Sequence, residues 1–188
     1  MADALSNTDS HIDRLQLNPQ YRYLRVTVNQ KSALLVLGYT EEHHNGPIEI
    51  WYSDSGQVLR LQNGRVIGTL GLETDWLTVN YNPLPSWQEI AQYSLIPYQR
   101  KRDQMPGYRF GILESLSISP IPTPTKSEIV PISGKELKWY EEVNSNDPDL
   151  SLSARYAVLE KDGVYKVMYS DQCLSTRFCL SWQVWPAE

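Results

Sequence analysis

The side chains in this chain that could do chemistry are few: three histidines, two cysteines, a basic triplet and six tryptophans. His43-His44 sits in a polar loop beside Glu41 and Glu42. A metal site wants ligands converging from separate elements, and adjacent loop side chains rarely converge, so the pair reads as a solvated loop. His11 lies in a polar N-terminal stretch. Glu141, Glu142, Asp147 and Asp149 form an acidic patch that could hold a hard cation, but their spacing is not that of an EF-hand loop and they read as a solvated turn. There is no GxSxG elbow, Walker loop or HExxH motif, and Ser133-Gly134-Lys135 is only a fragment of a phosphate loop. No carboxylate pair is singled out for glycoside chemistry.

Two features point to binding instead. Arg100-Lys101-Arg102 could meet an anionic glycan, a phosphate headgroup or an acidic partner, against the plainer reading of a solvated loop. Tryptophans stack on sugars. Trp87 and Trp139, the latter followed by Tyr140, flank loops and are the expected exposed platform, whereas Trp51 and Trp182 are expected in the core. Nothing calls for a cofactor.

Composition narrows the classes. With 188 residues, 41% hydrophobic and 21% charged, the chain can bury the core of one medium domain. A net charge of −5 argues against a nucleic-acid or anionic-membrane partner. Twelve Tyr and six Trp against two Phe suit the walls of a β-protein. No run of about 18 apolar residues is present to span a membrane as a helix. The Met-Ala-Asp-Ala start is polar and carries no signal peptide, as expected of a cytosolic protein or one trimmed to its mature part.

The elements that position these residues read mostly as strands. Residues 1–18 are polar and form an expected flexible arm, followed by a single β-rich domain over 19–188. Tyr21–Val28 alternates, with Leu24, Val26 and Val28 on one face, and Ser32–Tyr39 is an apolar run suited to burial on both faces. Ile48–Leu72 reads as three strands joined by turns at Asp54-Ser55-Gly56 and Asn63-Gly64; the second is the strongest short hairpin signal, since both central residues of a type I′ turn need positive φ. That turn pairs Leu61 with Val66 and Leu59 with Gly68, with Trp51 on the same face. Asp75–Tyr81 is another strand, and Ser86-Trp87-Gln88-Glu89 fits a capping box opening a short helix to about Tyr93. Tyr98–Met105 is basic and polar, Tyr108–Ser119 returns to strand character, and the prolines at 120, 122, 124 and 131 make an extended loop or edge segment. Trp139–Val143 reads as a strand. The expected fold is all-β and mainly antiparallel, a meander closing into a barrel-like or sandwich architecture with at most one or two short helices.

Two registers compete at the C-terminal end. A turn at Asp162-Gly163 pairs Glu160 with Tyr165, Val158 with Val167 and Tyr156 with Tyr169. A second turn at Asp171-Gln172 then collects Tyr156, Val158, Tyr165, Val167, Tyr169, Leu174, Phe178, Leu180, Trp182 and Val184 on one face. In that register Cys173 and Cys179 lie on one strand, roughly 20 Å apart at ~3.3 Å per residue, too far to bond. The rival turn, Ser175-Thr176-Arg177, brings the cysteines opposite each other. The apolar pattern favours the first, and an oxidising compartment would favour the second.

The string Tyr21-Arg22-Tyr23-Leu24-Arg25-Val26, then Leu35-Val36-Leu37-Gly38-Tyr39, Trp51, Asn63-Gly64-Arg65-Val66 and Thr69-Leu70-Gly71-Leu72 resembles the YjbF family of bacterial lipoproteins, which includes the group 4 capsule protein GfcB. The resemblance runs from about Tyr21 to Val79; beyond it only the β character agrees. It implies a barrel-like or sandwich fold, a lipoprotein on the periplasmic face of the outer membrane, and a role beside a β-barrel outer-membrane protein in exopolysaccharide or capsule secretion. It supplies no catalytic residues. The chain has no N-terminal lipobox cysteine; the resemblance implies that the signal peptide and acylated Cys have been removed and that residues 1–18 tether the domain to the lipid.

Three functions follow as expectations. The leading one is a non-enzymatic accessory of polysaccharide export that docks on an outer-membrane barrel. The others are a glycan-binding module and a glycan-modifying enzyme. A flat apolar patch favours the first, a groove lined by Trp and Tyr the second, and converging carboxylates in a cleft the third.

Overall fold

The computed structural model describes residues 12, 14–132, 134–146 and 153–187. Most of the expected 1–18 arm, with His11, lies outside them, as do Ser133, Asp147 and Asp149; Ile12 is buried.

Twelve antiparallel strands form one sheet that curls into a nearly closed barrel. A first meander runs β1 (Tyr23–Val28), β2 (Lys31–Glu41), β3 (Ile48–Ser53), β4 (Val58–Gln62) and β5 (Arg65–Leu70). A second runs β6 (Asp75–Asn82), β7 (Ile96–Met105), β8 (Arg109–Ile121), β9 (Leu137–Asn144), β10 (Ala154–Lys161), β11 (Val164–Ser175) and β12 (Phe178–Trp185). The meanders are joined by β1 pairing with β12, which leaves β5 and β6 as the two edges of the sheet. These edges approach without a backbone ladder. The Trp76 amide instead donates to Thr69 Oγ1 at 3.0 Å, and the turn between them is closed by the Asp75 carboxylate accepting from the Gly71 and Leu72 amides.

The turns obey local backbone chemistry. Asn63 and Gly64 have φ of 49° and 77°, and Asp162 and Gly163 have 52° and 76°, as a type I′ hairpin requires. Asn29-Gln30, at 50° and 63°, makes a further such turn that lacks the usual glycine. Gly56 in the Asp54-Ser55-Gly56 turn has φ of 85°. At Gly64 there is a second constraint: a Cβ there would lie 2.4 Å from Val167 on β11, so the β4–β5 turn packs directly on the far meander.

Leu24, Val26 and Val28 share the inner face with Trp51, Leu59, Leu61, Tyr156, Val158, Val167, Leu180 and Trp182. Two β-bulges modify the expected registers, at Ile67 and Met168, and another interrupts the β2–β3 pairing. Leu61 opposes Val66, but Arg60 rather than Leu59 meets Gly68, because Ile67 is an extra residue. Leu37 opposes Trp51 and Tyr39 opposes Ile50, making Gly38 extra. Val158 opposes Val167, but Ala157 takes Tyr169, making Met168 extra. That last bulge turns Tyr169 away from the expected face and into a separate outer cluster with Trp139 and Ala157.

The β11–β12 turn corrects the favoured C-terminal register. β11 continues to Ser175 and β12 begins at Phe178, so Cys173 pairs with Cys179 and the two form a disulfide. The bulge at Met168 removes the objection to this register. With Tyr169 turned outward, Ser170, Gln172 and Leu174 share the inner side without breaking the apolar run of β12.

Helix α1 (Trp87–Gln92) fills the crossover between β6 and β7. Its capping box is complete: Ser86 Oγ accepts from the Glu89 amide, and the Glu89 carboxylate accepts from the Ser86 amide. Trp87 and Ile90 are its buried residues.

Candidate functional site

The site most suited to a ligand is a cavity of about 440 Å³ at the barrel end where β1, β3 and β11 begin and β12 finishes. Its walls are aromatic: Tyr21 from the segment before β1, Tyr23 from the start of β1, Trp51 from β3, Trp87 from α1, Tyr165 from β11, and Trp182 and Trp185 from β12. The volume lies in the range of small-molecule and cofactor pockets. The Asn63-Gly64 turn holds one side. Asn63 O accepts from Trp87 Nε1 at 2.8 Å, which fixes the helix against the pocket.

Polar groups are sparse there and well defined. Trp51 and Trp182 are 1% and 2% exposed, and neither indole N–H has a hydrogen-bond partner among the described residues. Leaving a buried donor unmade costs about 1–3 kcal/mol, so such groups are notable in a pocket wall. Arg22 stands at the rim with its guanidinium 5.5 Å from the Trp51 ring centroid and a 2.5 Å contact to Glu49. Lys166, also at the rim, makes no ion pair among the described residues. Burial and then the nearby Arg22 charge hold its ammonium below the usual lysine range.

The family model described as "Group 4 capsule polysaccharide lipoprotein gfcB, YjbF" matches residues 4–180. The chain belongs to this family. Among solved structures, the crystal structure of the hypothetical lipoprotein YmcC from Escherichia coli (K12) is similar, with a TM-score of 0.62 and 19% identity over 98% of this chain and 90% of that one. At that identity the likeness concerns the fold. No curated protein matches. By its description the YjbF family is one of capsule polysaccharide lipoproteins, and membership makes this a lipoprotein-family chain.

Several residues expected at a surface lie elsewhere in this YjbF-family barrel. Trp87 is 6% exposed because it opens α1 and packs against Tyr140 and Tyr156, with the Arg65 guanidinium 4.4 Å from its ring centroid. It reaches the pocket only as part of its wall. Trp139 does point outward, but the proline-rich segment after β8 crosses over it. Ile121 and Ile129 cover it, so it is buried. Tyr140, its neighbour, faces the interior and is buried too. The exposed platform expected at Trp87 and Trp139 is therefore absent.

The basic triplet is corrected in the same way. It belongs to strand β7, whose alternation sends Arg100 and Arg102 inward and Lys101 outward. Glu114 and Glu142 meet the two arginines: Arg100 Nε lies 2.6 Å from Glu114, Arg100 Nη1 lies 3.0 Å from Glu142, and Arg102 Nε lies 3.0 Å from Glu114. Tyr98 donates to Glu142, and both guanidiniums lie over the Trp76 ring at 4.5 and 4.8 Å. Burial disfavours the Arg100 charge, but Glu142, Tyr81 and Glu114 outweigh it and hold its pKa well above the arginine value. These arginines are unavailable to a surface partner. The acidic patch also splits, with Glu142 inside the barrel and Glu141 on the outer side.

A second, wider groove of about 780 Å³ lies beneath the proline-rich strap. It holds Glu128, Glu141, Asp171 and Arg155 but only Tyr169 among aromatics. The strap is tied down there. Val130 exchanges two 2.8 Å bonds with the Gln183 amide, Ser181 donates to Glu128 at 2.6 Å, and Arg155 pairs with Asp171 at 2.9 Å while donating to Lys126 O. Burial raises the Asp171 carboxyl above its ordinary value even so. In the His43-His44 loop, His43 Nδ1 lies 2.8 Å from Gln62 Nε2 and the two rings stack at 4.1 Å.

Proposed function

We propose that this chain is a non-enzymatic, periplasm-facing component of capsule polysaccharide export at the outer membrane, and that it acts by holding polysaccharide in the aromatic end pocket. The observation that carries the reading is the convergence of Tyr21, Tyr23, Trp51, Trp87, Tyr165, Trp182 and Trp185 on one cavity. Aromatic faces with a few polar groups are what a sugar ring needs. The family description, a capsule polysaccharide lipoprotein, agrees with this placement. A glycan-modifying role is less well supported, since Glu128 and Asp171 in the strap groove are both committed to protein partners.

A second reading, docking on an outer-membrane β-barrel protein, is favoured by the β7–β8 hairpin. Its tip carries Tyr108 and Phe110, 76% and 61% exposed, with Leu113 beside them. Exposed apolar groups clustered on a protruding turn suit a protein partner.

The test is to purify the lipidated protein from its native envelope and to identify proteins and glycans together by mass spectrometry. Enriched polysaccharide that is lost on Trp51→Ala supports the pocket reading. Recovery of an outer-membrane barrel without glycan, lost on Phe110→Ser, moves the assignment to docking.

A further inference from the structure

The aromatic pocket has a charge signature that the rest of the surface does not predict. Its charged lining residues are Arg22, Lys166 and Glu49, two cations against one carboxylate, on a chain of net charge −5. Glu49 is engaged by Arg22 through Oε1. Lys166 has no such partner among the described residues and stands at the mouth of the same cavity. Deeper in, the Trp51 and Trp182 N–H groups both lack an acceptor.

We infer that the pocket takes an anionic sugar residue, one bearing a carboxylate, with the ring against the more exposed aromatics Tyr21, Tyr165 and Trp185 and the carboxylate directed to Lys166 and Arg22. The inference rests on the glycan-holding reading and names its ligand class. The parts divide the work. Aromatic faces recognise the C–H side of a pyranose ring, and the rim cations take the charge. A neutral sugar would satisfy the first and leave Lys166 without an ion-pair partner. Burial and then the nearby Arg22 charge lower the Lys166 pKa, so a carboxylate placed beside both cations is favoured there.

The test compares a galacturonate trisaccharide with its methyl ester, which has the same ring and linkage without the charge. Binding is followed by tryptophan fluorescence and by calorimetry at low and high salt. The acid form is expected to bind at least about tenfold tighter at low salt, with the difference shrinking as salt is added. Lys166→Gln and Arg22→Gln, both at exposed rim positions, are expected to bring the acid down to the ester's affinity and leave the ester unchanged. Equal binding of both trimers, insensitive to Lys166→Gln, overturns the charge assignment while the glycan pocket stands. Binding of neither trimer overturns the saccharide pocket and the inference together.

Discussion

Glu114 grips Arg102 through two parallel hydrogen bonds inside the barrel, Nε to Oε2 and Nη2 to Oε1, each 3.0 Å. The same carboxylate takes Arg100 Nε at 2.6 Å. One acid thus compensates two guanidiniums in a space where all three side chains are at most 2% exposed. Removing it leaves buried cations with half their partners. Glu114→Ala is expected to destabilise the fold by about 3–5 kcal/mol, whereas Lys101→Ala, on the outer side of the same strand, changes it by less than about 0.5 kcal/mol. Urea unfolding of the two variants checks this; equal small effects would show that the interior ion cluster is not a structural unit.

Acid should reach this cluster only below the ordinary carboxylate range. Burial pushes the Glu114 carboxyl up, but the Arg100 charge and the hydrogen bonds from Arg102 and Arg100 outweigh it and hold it below its ordinary 4.5. A depressed folded-state pKa contributes stability that is present above the unfolded value and lost as pH falls through the folded one. Asp171, raised by burial, works with the opposite sign: its contribution is present below the unfolded 3.8 and lost as pH rises through the folded value. The urea midpoint is expected to fall as pH drops below 4.5, and Glu114→Gln is expected to flatten that fall.

Gly64 and Gly56 separate backbone strain from crowding. Both have positive φ, 77° and 85°, but a Cβ at Gly64 would meet Val167 at 2.4 Å while one at Gly56 meets nothing within 4 Å. Gly64→Val combines the two effects and is expected to cost about 2–4 kcal/mol; Gly56→Ala carries the conformational part alone, about 1 kcal/mol. Thermal denaturation of each variant gives the comparison.

The Cys173–Cys179 bridge closes a short loop over the β11–β12 turn. Thiol titration of unfolded, non-reduced protein is expected to find no free thiol. Opening the bridge in Cys173→Ser/Cys179→Ser is expected to cost about 2 kcal/mol, small because the loop is short. Two free thiols in a folded, non-reduced sample would return the turn to Asp171-Gln172.

Most of the sheet was legible because it obeys local rules. Asn63-Gly64 and Asp162-Gly163 fixed two turns through their φ values, and Ser86 with Glu89 fixed the helix start. What failed depended on one-residue insertions and on distant cover. The bulge at Met168 has no turn residue to announce it, and it lets Cys173 fall opposite Cys179 while Val167 stays on the inner face. Arg100 and Arg102 looked solvated because their partners, Glu114 and Glu142, come from other strands. The alternation Tyr98, Arg100, Arg102, Gln104 was the available signal, since all four are buried. Trp139 looked exposed because the strap that hides it arrives from a proline-rich segment with no strand pattern of its own. The end pocket was not visible at all: its residues come from six separate stretches of sequence, and only the fold brings them together.

The ladder between β1 and β12, with Thr27 opposite Ser181, sets when the barrel can be finished. Each meander can assemble from neighbouring segments as they emerge, but the first strand must wait for the last. Until β12 is available, β1 and β11 each expose an unpaired row of amides and carbonyls, the kind of edge to which other chains adhere. Closure across nearly the whole chain is also kinetically slow, because the long loop must be ordered before the contact rewards it. Loss of the eight residues of β12 would therefore yield not a smaller barrel but an open, adhesive sheet, and a cell making this protein has reason to shield it until its final strand is in place.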